Sequence, residues 1–288
     1  MPQVLAVRVP ASCSNLGAGF DCVGLALDLW LEVRLLPGRA AASYRGEATA
    51  LDPDRDIMAA HLTRRRLLDD AHLEVSSGIP IGKGLGSSAA AHAAAVALGQ
   101  LAGAGRLDQD AVFHDVATRE GHPDNAGPAV YGGLFLASTP PARLRLHPSI
   151  AVALAVPDAT VSTRAARAVL PEQVPRTAAV GQATRAAGLI RGLTEGEAHL
   201  ITFGMDDWIA VPHRRAMIPG FDRAVEAGRS AGAYGVTISG AGSSLVALTG
   251  VKAAGSVARA MAEALTTAGN PARALTPAVS LRGLELLS

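Results

Sequence analysis

The sequence predicts an α/β (α+β) protein of two domains that divide near residue 150. Three observations carry this. A short apolar strand at 73–75 runs into Ile79-Pro80-Ile81-Gly82-Lys83-Gly84-Leu85-Gly86-Ser87-Ser88-Ala89-Ala90, and an Ala-rich run from Ser87 to Leu101 follows, giving strand, glycine loop and helix. Strand-like apolar runs alternate with helical periods along the rest of the chain. Pro140-Pro141 and a shift in composition come just before a buried-type strand at 149–156, and 288 residues suffice for one large domain or two ordinary ones. The domains expected are 1–150 and 151–288.

Composition narrows the class. Hydrophobic residues make up 49% of the chain, enough for a sizeable core, and aromatics only 3%, so that core is built from Ala, Val, Leu and Ile. A net charge of +1 gives no electrostatic case for nucleic acid. Lys83 and Lys252 are the only lysines, so a Lys inside the glycine loop suggests a required compact charge. Cys13 and Cys22 form no C-x-x-C pair and have no His cluster nearby, which fits small core residues in a reducing compartment. Met1-Pro2-Gln3 opens no secretion signal, and no run reaches membrane-spanning length without Gly or charge. A soluble, cytoplasmic protein that does not bind membranes is expected.

In chain order, 4–9 reads as a strand ended by Pro10. Residues 11–24 read as a glycine-bearing loop in which Asn15 and Asp21 sit among apolar neighbours, and 25–36 as a strand region. Strand and loop follow over 37–56. A helix over 57–70 has Asp56 available as its cap. After the glycine loop and its helix comes an amphipathic helix at 109–119, then Glu120-Gly121-His122-Pro123-Asp124-Asn125-Ala126-Gly127-Pro128-Ala129, then an apolar Gly-Gly strand at 130–137. In the second half, Ser162 opens a helix that puts Thr163 and Arg167 on one face. Helices are expected at 173–191, 197–211, 222–232 and 253–268, and strands at 234–239, 245–248 and 280–287. Gly240-Ala241-Gly242-Ser243-Ser244 forms a second glycine loop.

Alternate glycines let backbone N–H groups approach a ligand, and a helix starting at Ser87 would add its free N–H groups and positive end. This is a phosphate site; the alternative is a plain turn with Ser87 or Ser88 as N-cap. It is not a Walker A loop, because Lys83 is followed by Gly84, and it is not the dinucleotide fingerprint, because Ser87 stands where a Gly is needed. Glu120, His122 and Asp124 are dense for so apolar a chain. A metal site there is open, with oxygen ligands for Mg²⁺ more fitting than zinc.

Pro80 to Ala90 resembles the second motif of the GHMP kinases, the superfamily of galactokinase, homoserine kinase, mevalonate kinase and phosphomevalonate kinase. Asn15-Leu16-Gly17-Ala18-Gly19-Phe20-Asp21 resembles the first motif in the version seen in homoserine kinases. Glu120 to Pro128 is similar to the same subfamily, and Ser239-Gly240-Ala241-Gly242 resembles the third motif. The four matches run in family order across nearly the whole chain. The resemblance implies an N-terminal domain like ribosomal protein S5 and a C-terminal ferredoxin-like domain, with ATP at the central loop, the acceptor between the domains, and a homodimer.

The resemblance implies further that Pro80, Ile81, Gly82, Lys83, Gly84, Leu85, Gly86, Ser87 and Ser88 bind ATP and that Ser87 and Glu120 hold Mg²⁺, with Lys83 offsetting phosphate charge. Asp56 stands near the place where relatives contact adenine with Asn. Asn15, Asp21, His122, Asp124 and Asn125 resemble the amino-acid site; Thr163, Arg167 and Arg214 its carboxylate end, with Arg215 the lesser alternative; Gly240 lies in the third motif. Asn125 stands where mevalonate kinase-type relatives place an Asp, which implies transfer without a protein base; Asp21 is the alternative base. Ala18 and Ser243 replace prolines common in the family, and Ala18 should loosen its loop. The activity implied is phosphorylation of homoserine. The alternatives are another small alcohol such as mevalonate, and a binding protein without catalysis.

Overall fold

The computed structural model describes residues 4–52 and 56–287. The reading of 1–3 and the part of the 37–56 segment at 53–55 lie outside the described residues. In chain order the elements are β1 (Leu5–Asn15), β2 (Gly19–Pro37), β3 (Ala41–Gly46), α1 (Ile57–Arg64), β4 (Ala71–Ser77), α2 (Ser87–Ala104), α3 (Gln109–Glu120), α4 (Ala126–Tyr131), β5 (Leu134–Leu136), β6 (Ala142–Leu144) and β7 (Ile150–Pro157). They continue with α5 (Thr163–Ala168), α6 (Arg176–Glu195), α7 (Ala198–Gly204), α8 (Val211–Arg214), α9 (Phe221–Ser230), β8 (Ala233–Ile238), β9 (Leu245–Gly250), α10 (Ala254–Thr267), β10 (Ala272–Leu275) and β11 (Glu285–Leu286). Among the described residues the strands form two sheets. One runs β11-β1-β2-β4-β3, with β5 pairing β2 and β6; the other runs β10-β7-β9-β8.

The first correction concerns 11–24. Instead of a long loop, β1 continues through Pro10 to Asn15 and pairs antiparallel with β2, leaving only residues 16–18 as the turn. A register shift between Pro10 and Ala11 accommodates the proline, which cannot donate to the ladder. The run Ala11-Ser12-Cys13-Ser14 has low strand propensity, but its pairing with 24–27 overrides that. Other expectations shift too: of the strand expected at 130–137 only Leu134–Leu136 is strand, because α4 runs to Tyr131, and of that at 280–287 only Glu285–Leu286. The helix at 57–70 ends at Arg64, because Arg66 turns to φ +59° and β4 begins at Ala71. The helix at 197–211 breaks after Gly204 and resumes only at Val211.

Helix α2 lies at the centre of the first layer. Ala89, Ala90, Ala93, Ala94, Ala95 and Ala97 are fully buried in one core with the β1 and β2 side chains and with α1, α3 and α4. A helix apolar on nearly every side belongs inside the molecule, and its small side chains bring it close to the sheet. A second core joins α9 and α10 to β7, β8 and β9. No helix among the described residues is long and apolar enough to cross a membrane.

Candidate active site

The glycine loop ends at the N-terminus of α2. Gly82, Gly84 and Gly86 have φ of +68°, +74° and +72°, the left-handed region that favours glycine. Gly86 is the N-cap of α2, with no side chain capping it, so the alternative of a plain serine-capped turn does not hold. Ser88 Oγ instead donates to Glu120 Oε1 at 2.6 Å, and Ser87 Oγ accepts the Gly82 N–H at 3.5 Å. The first N–H groups of α2 therefore have no side-chain acceptor.

Other segments clamp this loop. Ser239 Oγ donates to Gly84 O at 2.7 Å, Ser244 N to Lys83 O at 3.0 Å, and Ser12 N to Leu85 O at 3.1 Å. A Cβ on Gly84 would fall 2.2 Å from Ser239 O, and one on Gly86 would fall 2.1 Å from Ser12 Oγ. Lys83 departs from its expected role. Its ammonium donates to the carbonyls of Asp158 and Ala159, the latter at 3.1 Å, so it ties the loop to the segment after β7 and does not face the cleft. Ser243 Oγ joins it on Ala159 O.

Beside the loop lies a polar cleft. Its walls bring together Asn15, Asp21, Gly82, Gly84, Gly86, Ser87, Ser88, Glu120, His122, Asp124, Asn125, Thr163, Arg167, Arg214 and Gly240. Pro80 and Leu85 are buried and Leu85 belongs to the core, so neither side chain faces this cleft. Arg167 donates to both Asp21 oxygens, at 3.2 and 3.0 Å. His122 Nδ1 and Asp124 Oδ1 are 2.5 Å apart. Burial pushes the His122 pKa down, but the hydrogen bond and charge of Asp124 outweigh it, and the net shift is upward. Asp21, His122 and Asp124 thus make one cluster, and Glu120 is not part of it: Glu120 turns to Ser88 and lies 3.7 Å from His92. The open reading of a Glu120–His122–Asp124 metal site is corrected accordingly.

Two amides are held at both ends within the protein. Asn125 Oδ1 accepts from Ser12 Oγ at 2.8 Å and its Nδ2 donates to Ser14 Oγ at 2.9 Å. Asn15 Oδ1 accepts the Asp21 N–H at 3.0 Å, and its Nδ2 donates to Gly240 O at 2.8 Å. Asn15 and Asp21 themselves have φ of +76° and +54°, a backbone that costs free energy and is held by those bonds. Ser12 and Ser14 escaped the sequence reading. They alternate along β1, so both face the same side, a signal hidden while 11–24 was read as loop. Arg214 is 4% exposed in the cleft, and burial lowers its pKa; Arg215 is exposed and pairs with Asp222.

An apolar pocket lies on the other side of the same loop, lined by Leu31, Leu51, Met58, Ile79, Ile81 and Ala91. Gly82, Ser87 and Ser88 line both cavities. Asp56 is at its edge, where it caps α1 through Met58 N at 2.8 Å and accepts from Tyr44 Oη at 2.6 Å. Phosphate-binding geometry therefore stands between an apolar slot and a charged cleft.

The family model for the GHMP kinases N terminal domain matches residues 55–133, and that for GHMP kinases C terminal matches 197–267. A homoserine kinase of Cutibacterium acnes is 41% identical, covering 86% of this chain and 90% of its own. One from Thermus thermophilus is 38% identical, covering 83% and 85%. The crystal structure of a homoserine kinase from Cytophaga hutchinsonii is similar at TM-score 0.83 and 30% identity, covering 100% of this chain and 98% of that one.

Proposed function

The chain belongs to the GHMP kinase family, on its homoserine kinase branch, and from that premise we propose that it transfers the γ-phosphoryl group of ATP to the hydroxyl of homoserine. One observation carries the choice of acceptor. Carboxylates at Asp21 and Asp124 and guanidinium groups at Arg167 and Arg214 line one cleft beside the glycine loop, which suits an ammonium and a carboxylate on the same small molecule. Mevalonate has no ammonium to meet the carboxylates.

In this reading the adenine lies in the apolar pocket, and the phosphates lie along residues 82–88 and the free end of α2. Ser87 and Glu120 offer only oxygen donors at the cleft wall, a set that fits Mg²⁺, and these two residues would hold it. A bound Mg²⁺ supplies charge neutralisation on the phosphates. The Arg167–Asp21 ion pair opens for the substrate: the ammonium replaces Arg167 on Asp21, and the carboxylate replaces Asp21 on Arg167. Asn125 cannot accept a proton, and both ends of its amide are engaged by Ser12 and Ser14. Catalysis then rests on positioning and charge stabilisation, without a protein base.

The chain divides, in the same reading, into units 1–150 and 151–288, with β11 returning to pair with β1. It works as a cytoplasmic homodimer, which light scattering of the purified protein checks. The activity is tested by coupled ADP release over homoserine, mevalonate, shikimate and galactose. Homoserine should turn over well above the others, and equal or absent turnover with homoserine would refute the assignment.

A further inference from the structure

We infer that Asp207, together with Gln182, is the positioning pair that sets Arg214 and the 16–18 turn in register for the carboxylate end of the acceptor; this rests on the amino-acid reading of the cleft. Neither residue lines the cleft. Asp207 lies between α7 and α8 and is 7% exposed. Its Oδ1 accepts from Ile209 N at 2.8 Å and Ala210 N at 3.2 Å, and its Oδ2 accepts from Ala210 N at 3.0 Å and Val211 N at 2.8 Å. These bonds fix the start of α8, a four-residue helix too short to hold itself. Arg214 is its last residue.

Gln182 reaches the same point from α6, also at 7% exposure. Its Nε2 donates to Asp207 Oδ1 at 2.8 Å and to Ala18 O at 3.2 Å, and its Oε1 accepts from Trp208 N at 2.9 Å. One buried hub therefore holds both the helix that carries Arg214 and the turn that leads to Phe20 and Asp21. The two parts meet again at the cleft, where the Arg214 guanidinium lies 5.1 Å over the Phe20 ring. Arg214 Nε donates to Ala166 O at 2.9 Å and Nη1 to Gly240 O at 3.2 Å, so a shift of α8 would pull the guanidinium off both carbonyls. Buried polar hubs of this kind fix a single geometry when every member is satisfied, as here.

Steady-state kinetics of Asp207→Ala, Gln182→Ala, Arg214→Ala and the Asp207→Ala/Arg214→Ala double variant test this, with circular dichroism to monitor folding. Asp207→Ala and Gln182→Ala should each raise the homoserine KM about tenfold or more and leave the ATP KM in place. The double variant should show no higher homoserine KM than Arg214→Ala, and Asp207→Asn, which keeps Oδ1, should fall between wild type and Asp207→Ala. Parallel rises in both KM values, or additivity with Arg214→Ala, would mean that the hub only supports the fold and would overturn the inference. Gln182→Ala carries the test if Asp207→Ala does not fold. If Arg214→Ala leaves the homoserine KM unchanged, the acceptor reading itself fails; if Arg214→Ala raises it and neither hub variant does, only this inference fails.

Discussion

Ala18 shows how one residue reverses an expectation. A proline replaced by alanine should loosen the first glycine turn. Instead the Ala18 N–H, which proline lacks, donates to Gly204 O at 2.9 Å, and its carbonyl accepts from Gln182. Ala18→Pro removes that donor, so the homoserine KM should rise and the melting temperature fall; an unchanged melting temperature would argue against the tie. Gly86→Ala meets two obstacles at once, a left-handed φ of +72° and Ser12 Oγ at 2.1 Å from the new Cβ. The conformational part alone costs about 1–2 kcal/mol. Thermal melts and the ATP KM should both worsen, and a neutral variant would contradict the loop geometry. The two thiols should separate as well. Cys13 is buried, its pKa pushed up to about 12 by that burial, while Cys22 is exposed. A thiol reagent should titrate one cysteine in the native protein and two after unfolding; two fast thiols in the native state would contradict the burial of Cys13.

At the scale of elements, the glycine loop and α2 were legible because three signals agreed: alternate glycines, a preceding apolar strand, and an Ala run with no β-branched break until Val96. The β1–β2 hairpin was not legible. Positive φ recurs in and beside its turn, at Asn15, Leu16 and Asp21, and its strand carries Ala, Ser and Cys, so local preference points to loop while long-range pairing makes a strand. The break between α7 and α8 did leave a trace, since Gly204 ends one helix and the Asp207 carboxylate accepts the N–H groups that lead into the next. The ring of contacts around the loop was invisible for another reason: Ser239, Ser244 and Asp158 lie far from it in sequence, and only the fold brings them to it. Ser239→Ala removes a hydrogen bond to Gly84 O and should cost about 1 kcal/mol, seen as a weaker ATP KM with homoserine KM preserved. Equal effects on both substrates would argue that the bond supports the fold in general and not the loop.

Over the whole molecule, the two sheets share one core, in which Val152 and Leu154 of β7 and Val246 and Leu248 of β9 join the β1 and β2 side chains, and their loops meet at one cleft whose contacts come from both halves of the chain. Asn15 reaches Gly240, Asp21 reaches Arg167, and Lys83 reaches the 158–159 carbonyls. In the proposed reading, the carboxylates and guanidinium groups of this cleft meet the ammonium and carboxylate at one end of the acceptor, and the hydroxyl at its other end turns to the glycine loop. Arg167→Ala should raise the homoserine KM about 10- to 150-fold, the equivalent of about 1.5–3 kcal/mol for a lost bond to a charged group. The most direct measurement of the central claim compares kcat/KM for homoserine with that for 3-amino-1-propanol, which lacks the carboxylate, and 4-hydroxybutanoate, which lacks the ammonium. Both analogues should fall well below homoserine, and Arg167→Ala should narrow the gap only for the analogue without a carboxylate. Equal kcat/KM for all three would contradict the claim.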